Sequence, residues 1–415
     1  MLSHLVEQDL LSKRQYGFIG GRSTVTQLLN FLDICCESIA TGKVVDTVYF
    51  DFAKAFDTVP HRRLQKKLES YGVEGMILRW ITAFLTDRKQ IVKVNGSEST
   101  MGDVVSDIPQ GSVLGPLLFV IYINDLPEHV TSNTFLFVDD TKIFKEVNSI
   151  EDSLIIQNDI SKLEKLSKDW LLRFHPDKCH VLTLGKFSNI QHAHRYILEG
   201  EELEHVFLEK DLGILIDNEL KFEEHISKQV NKANSMLGII RRSFENMSPK
   251  TFCTLYTTFV CPYLEYAQSV WCPHLRKHIN LIEGVQRRAT KLVHNYKDLT
   301  YEQRLRNLHL PSLEFRRQFC DMVQLYKHLH IYDQSTIPNK FIPHARPNRR
   351  HNFELRRNFG NDGIRGVQTN FFYYRCISVW NQLPKKVVDS PTIKIFKKTL
   401  NEAWSNHPKR FTQQL

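Results

Sequence analysis

No run of apolar residues in the chain is long enough to cross a bilayer; even Leu114 to Ile123 has roughly half the length a spanning helix needs and reads as a core helix. Cysteine is sparse, 8 in 415 residues. The cysteines are irregularly spaced, with no signal-peptide pattern ahead of them, which argues against a disulfide framework and for a reducing compartment. Cys261, Cys272, His274 and His278 can be drawn as a zinc set, but their spacing fits no compact finger. No internal repeat and no cysteine-rich C-terminal knuckle is present. Acidic residues are outnumbered, 46 Asp and Glu against 55 Lys and Arg, leaving a formal net charge of +9 and an isoelectric point near 9.0. That balance favours a polyanionic partner, bound more weakly as salt rises. With 42% hydrophobic and 24% charged residues the chain is no disordered polymer, and its length allows two or three domains with their own cores.

What is there begins with Phe135-Leu-Phe-Val-Asp-Asp-Thr-Lys-Ile-Phe144, two short strands interrupted by adjacent acids, Asp139 and Asp140. Neighbouring strand residues point to opposite faces, so both acids reach one spot only if the chain turns beside them. Two readings are open, an exposed Asp-Asp turn or carboxylates gathered around a cation, because burying them alone costs several kcal/mol each. Upstream, Val44-Val-Asp-Thr-Val-Tyr-Phe-Asp51 is a second strand-like run ending in an acid. Two strands with acidic tips suit two Mg²⁺ ions about 3.5–4 Å apart, the arrangement that serves phosphoryl transfer, with Asp51, Asp139 and Asp140 as ligands. Between them, Ile108-Pro-Gln-Gly-Ser-Val-Leu-Gly-Pro-Leu-Leu-Phe119 is a punctuated loop entering a helix. There Gly111 and Gly115 allow close backbone approach, and Gln110 is suited to hydrogen-bond a nucleotide or template base. Asp57 and Asp125 read as turn or helix-end residues.

The ordered set resembles the reverse-transcriptase domain of non-LTR retrotransposons, most closely the jockey-like group. The blocks that carry it are Gln15-Tyr-Gly-Phe-Ile-Gly-Gly-Arg-Ser-Thr24, Phe50-Asp-Phe-Ala-Lys-Ala-Phe-Asp57, Pro109-Gln-Gly-Ser-Val-Leu-Gly-Pro116 and Phe137-Val-Asp-Asp140. Trp170 with Phe174-His-Pro-Asp-Lys-Cys179, and Lys210-Asp-Leu-Gly-Ile214 with Leu220-Lys-Phe-Glu-Glu-His-Ile226, follow them. Less diagnostic matches at Cys261-Pro-Tyr-Leu-Glu-Tyr266, Val285-Gln-Arg-Arg-Ala289 and Ser378-Val-Trp-Asn-Gln-Leu-Pro384 extend the likeness over nearly the whole chain.

The resemblance implies an RNA-directed DNA polymerase that extends a DNA primer on an RNA template with deoxynucleoside triphosphates and Mg²⁺. It implies an intracellular location, nucleus or cytoplasmic ribonucleoprotein, with no membrane. Asp51, Asp139 and Asp140 would hold the metal ions, and Lys178 would be the acid for pyrophosphate. Phe52 and Phe56 would line the nucleotide, Phe56 as the gate against a 2′-hydroxyl; Gln110, Gly111 and Arg22 would touch nucleotide or template. Four departures from the family pattern stand out: Ile19 for Arg, Asp107 for Gly, Val138 for Ala, where a branched side chain would crowd the primer end, and His175 for Asn. The chain enters the Gln15 block almost at once, so earlier fingers segments and an endonuclease domain are expected to be missing. The alternative is a truncated, catalytically silent remnant that keeps RNA or protein binding. An RNA-copying polymerase or a maturase is a further rival.

The implied architecture is α+β: a right-hand polymerase palm with an antiparallel sheet and partial fingers at 1–185, primer-grip-like strands and a helical thumb at 186–310, a connector and Pro/Arg-rich linker at 311–352, and a small basic-aromatic helical region at 353–415. Pro60 to Tyr71 reads as a helix ending at Gly72, and Lys89 to Val94 as one arm of a hairpin turning at Asn95-Gly96. Ile226, Val230, Ala233, Leu237 and Ile240 mark the buried stripe of a helix, and Ser248-Pro249 caps another. Arg287, Arg288 and Lys291, on a helix with Ile282 and Val285, are candidate nucleic-acid contacts. Arg346, Arg349 and Arg350 are candidate RNA contacts in the linker. Phe371, Phe372, Tyr373, Tyr374, Arg375 and Trp380, with Arg356 and Arg357, suit either base stacking or a small helical core.

Overall fold

The computed structural model describes residues 1–185, 194–331, 353, 355 and 366–412. The linker arginines 346, 349 and 350, and Arg356 and Arg357, lie outside the described residues. The chain divides into two compact units, Met1–Gln27 with Gly42–Glu209, and Leu28–Thr41 with Lys210–Leu415.

In the first unit the β-branched run Val45–Phe50 forms strand β1, whose Val45, Asp46, Thr47 and Val48 are all buried, as a strand covered on both faces must be. It lies at the centre of a sheet with Asn133–Phe137 (β2), Asp140–Glu146 (β3), His180–Leu184 (β4) and Glu204–Val206 (β5), in the order β5-β4-β1-β3-β2. β1 pairs antiparallel with β3, Phe50 opposite Thr141, and with β4, Val48 opposite Val181. The β2–β3 pair is a hairpin closed by Phe137 and Asp140. The edge pairing of β5 with β4 is parallel, so the expected antiparallel sheet has one parallel seam. Helix Gly115–Tyr122 is buried almost all round and shares a core with Val48, Leu136 and Ile143 of the sheet and with Ile156, Ile160 and Leu163 of helix Ile150–Trp170. Pro60 opens helix His61–Ser70, and Gly72, at φ +73°, follows its end. The hairpin turn at Asn95-Gly96, both at positive φ, joins Lys93–Val94 to Ser97–Glu98.

The second unit is mainly helical. Helix Glu223–Ser243 buries Ile226, Val230, Ala233, Leu237 and Ile240, the stripe read from the sequence. Ser248 caps helix Pro249–Leu255 by accepting the Thr251 N–H. The aromatic residues Phe371, Phe372, Tyr373 and Trp380 are buried in the core, so of the two readings of this cluster the structure takes packing over base stacking. Arg375 points inward, and its guanidinium donates to both carboxylate oxygens of Asp321, at 2.9 and 3.0 Å, and to the Ser269 carbonyl at 2.8 Å. Among the described residues no helix is long and apolar enough to cross a membrane.

Truncating one member of a buried ion pair leaves the other charge unpaired. Asp321→Ala is expected to destabilise the protein by about 3–5 kcal/mol, read as a lowered denaturant midpoint.

Candidate active site

Asp51 and the Asp139-Asp140 pair meet because β1 and β3 run side by side. Phe50 faces Thr141, so Asp51 leaves β1 where Asp140 enters β3. The chain around Asp51 is pinned by the segment before β4: the Asp51 carbonyl accepts the His175 N–H at 2.8 Å, Ala53 N–H donates to the Arg173 carbonyl at 2.8 Å, and Asp51 N–H points at Cys179 Sγ, 3.5 Å away. Position 175, where the resemblance implies Asn, supplies a backbone N–H that either residue provides. Lys178, on the single 3₁₀ turn Pro176–Lys178, places its ammonium 3.2 Å from Asp51 Oδ2. Phe52 stacks on Phe174, ring centroids 4.7 Å apart, and is buried.

Asp139 is the more enclosed acid. Burial pushes its carboxyl above the ordinary range and the nearby Asp51 charge adds to that, while the N–H groups of residues 139 and 140 work against it. Asp140 is exposed at the first position of β3. Two hard carboxylates forced together, one of them desolvated, are a donor set that fits Mg²⁺, although among the described residues no three His, Cys, Asp or Glu side chains close into a metal-holding group. That holds also for Cys261, Cys272, His274 and His278, whose drawing as a zinc set the structure does not support.

The loop at 107–111 is strapped to the Phe56 segment. Ile108 N–H donates to the Phe56 carbonyl at 2.9 Å and Gln110 Nε2 to Asp57 Oδ1 at 3.0 Å. Asp57, set aside in the sequence as a turn residue, is therefore what orients Gln110; their separation in the chain hides the contact. The Phe56 ring stacks on Phe119, centroids 4.6 Å apart. Gly111 has φ +79°, and a Cβ on Gly115 would meet the Pro109 carbonyl at 2.7 Å. Asp107, where the resemblance implies Gly, has φ +125°, and its carboxylate is 3.3 Å from Arg88.

One expectation needs correcting. The Val138 side chain turns inward, 6% exposed against Gly17, rather than toward a primer end. Arg22 aims Nη1 at the carbonyls of Ser12 (2.7 Å) and Gln15 (2.6 Å), a local structural task beside any contact to nucleotide. In the second unit Arg287, Arg288 and Lys291 are exposed; Arg287 lies over the Tyr301 ring and Arg288 donates to Asn234 Oδ1 at 2.9 Å.

The family profile described as reverse transcriptase (RNA-dependent DNA polymerase) matches residues 1–239, more than half of the chain. The chain belongs to the reverse transcriptase family. The mixed sheet and helices of the first unit are the α+β fold that the resemblance implies. The chain is 26% identical over 372 residues to the probable RNA-directed DNA polymerase from transposon BS of Drosophila melanogaster, covering 83% of this chain and 39% of the relative. It is 25% identical over 298 residues to the RNA-directed DNA polymerase from mobile element jockey of the same species, covering 68% and 32%. The chain thus spans about a third to two-fifths of the length of these relatives. The solved telomerase of Candida albicans overlaps 72% of this chain and 55% of its own at 11% identity and a TM-score of 0.42, a likeness too distant to add to the assignment.

Asp107→Gly removes the backbone strain and loses only a partly exposed ion pair; the net expectation is a gain of about 1 kcal/mol in stability, measured by urea unfolding. A raised carboxyl in the folded state favours folding when protonated, and that contribution is lost as pH rises through the folded-state value. Asp139→Asn is therefore expected to melt higher than the natural chain at neutral pH without divalent metal, and the difference should close as the pH falls below the ordinary carboxylate range.

Proposed function

We propose that this chain is the polymerase domain of a non-LTR mobile element, extending a DNA primer on an RNA template with deoxynucleoside triphosphates. The observation that carries the reading is the convergence of Asp51 and Asp139 at adjoining ends of β1 and β3 in a chain of the reverse transcriptase family. Mg²⁺ held by Asp51, Asp139 and Asp140 would neutralise the charge on the reacting phosphate and on the attacking and leaving oxygens.

The protein's own part is positioning. Phe56, fixed by its stack on Phe119, would shut out a 2′-hydroxyl, and Phe52, held by Phe174, would floor the same side of the nucleotide. Gln110, oriented by Asp57, would meet the nucleotide or template, and the backbone at Gly111 approaches without a side chain in the way. Lys178, whose ammonium faces Asp51, is the proposed proton donor to pyrophosphate. Arg287, Arg288 and Lys291 would take phosphates of the primer–template, as a thumb does.

The test is extension of a DNA primer on an RNA template by the purified protein with Mg²⁺, beside Asp139→Ala/Asp140→Ala. Extension that falls to background in the double variant is the expected result. A folded protein that binds RNA in a salt-sensitive manner yet never extends would overturn the reading in favour of a silent remnant.

A further inference from the structure

The turn that presents Asp139 and Asp140 is held in a conformation its own residue resists. Val138 has φ +59°, and a β-branched residue in the left-handed region is an outlier that surrounding structure must enforce. The enforcing contact comes from 123 residues away: Gln15, completely buried, accepts the Val138 N–H on its Oε1 at 3.0 Å and the Gly17 N–H on the same atom at 2.8 Å. Because both partners are N–H donors, the carboxamide oxygen has to face them. Its Nε2 is buried with no hydrogen-bond partner.

The rest of the N-terminal segment seats Gln15. Tyr16 N–H donates to the Leu136 carbonyl at 2.8 Å and Leu136 N–H to the Arg14 carbonyl at 2.9 Å, so residues 14–16 run along the outer edge of β2. The Tyr16 ring packs edge-on to Phe135, and Arg22 caps the Gln15 carbonyl. Gly17 leaves the room: a Cβ there would fall 2.5 Å from Val138 Cγ2 and 2.7 Å from Val138 N. A buried amide with half its capacity unused has a cost, the stranded Nε2 donors, which an apolar side chain of the same shape would avoid. What the apolar side chain would lack is the acceptor for Val138.

We propose that Gln15 is a positioning residue for the Asp139-Asp140 turn, its carboxamide oxygen locking the backbone of Val138 at positive φ and so fixing the direction in which the two carboxylates leave the hairpin. The catalytic consequence rests on the polymerase reading above; the conformational one does not.

The experiment uses the natural chain, Gln15→Met, which keeps the volume and removes the acceptor, and Gln15→Met/Val138→Gly, in which glycine adopts positive φ without help. Hydrogen exchange of the peptide holding the Val138 amide is read beside primer extension and thermal melting. Gln15→Met, which leaves the Val138 and Gly17 N–H groups without their acceptor, is expected to melt lower than the natural chain and to lose protection at residue 138. It should drop kcat by about 100-fold, the scale of a misplaced catalytic group, with the nucleotide KM within about twofold. Val138→Gly in that background should restore most of kcat.

Unchanged exchange at Val138 in Gln15→Met overturns the inference, as does a double variant no more active than the single. If the natural chain does not extend primers, the polymerase reading fails by itself, and exchange at Val138 still decides whether Gln15 holds the turn.

Discussion

Like-charged carboxylates at the end of an apolar sheet impose the constraint around which the first unit is organised. Desolvation and mutual repulsion both oppose ionising Asp139 beside Asp51, and the fold answers with backbone. The acids sit where β1 and β3 separate, the N–H groups of the turn offset part of the cost at Asp139, and the Arg173–Cys179 segment fastens the chain on either side of Asp51. Each support comes from a part of the chain distant in sequence. The site therefore forms only once β1, the β2–β3 hairpin and β4 have all paired, which ties it to the slow, non-local part of folding.

The loops beside the acids follow the same logic. Gln110 and Gly111 stand on a loop, but Ile108 bonds to Phe56, Gln110 to Asp57, and Ser112 Oγ both donates to the Pro109 carbonyl and accepts the Gly115 N–H. Such cross-bracing gives a loop the fixity of a regular element.

Much of this was legible in the sequence, and the boundary falls where contacts become non-local. Strand β1, the β2–β3 hairpin, the Pro60 start, the Asn95-Gly96 turn and the buried stripe of Glu223–Ser243 are all periodicity or local turn chemistry, and the structure has them. The parallel seam of β5, the clasp of Asp57 on Gln110 and the inward turn of Val138 have no local signal. Aromatic and basic residues mixed at 371–380 read equally as a stacking surface or a core, because composition does not say which face a helix presents; the buried Asp321–Arg375 pair decides for the core. Arg22 shows the same limit, since a cation in a recognised block is as free to bond backbone carbonyls as to meet a phosphate.

Strain, finally, is not spread evenly. Among the described residues Val138 is the sole β-branched residue with positive φ, and Asp107, at +125°, is the sole non-glycine residue with a positive φ outside the left-handed helical range of the others, which lie between 45° and 61°. One immediately precedes the acid pair, the other the loop that carries Gln110. Both outliers persist because neighbouring groups hold them, as backbone strain requires. At both positions the resemblance implies a smaller residue, Ala at 138 and Gly at 107. At 138 the added bulk fits only because Gly17 leaves space for it, and at 107 only because Arg88 and His61 bind the displaced carboxylate and carbonyl. The substitutions and their neighbours thus have to be read together: each outlier is stable in the company of a partner that a residue-by-residue comparison with the family would pass over.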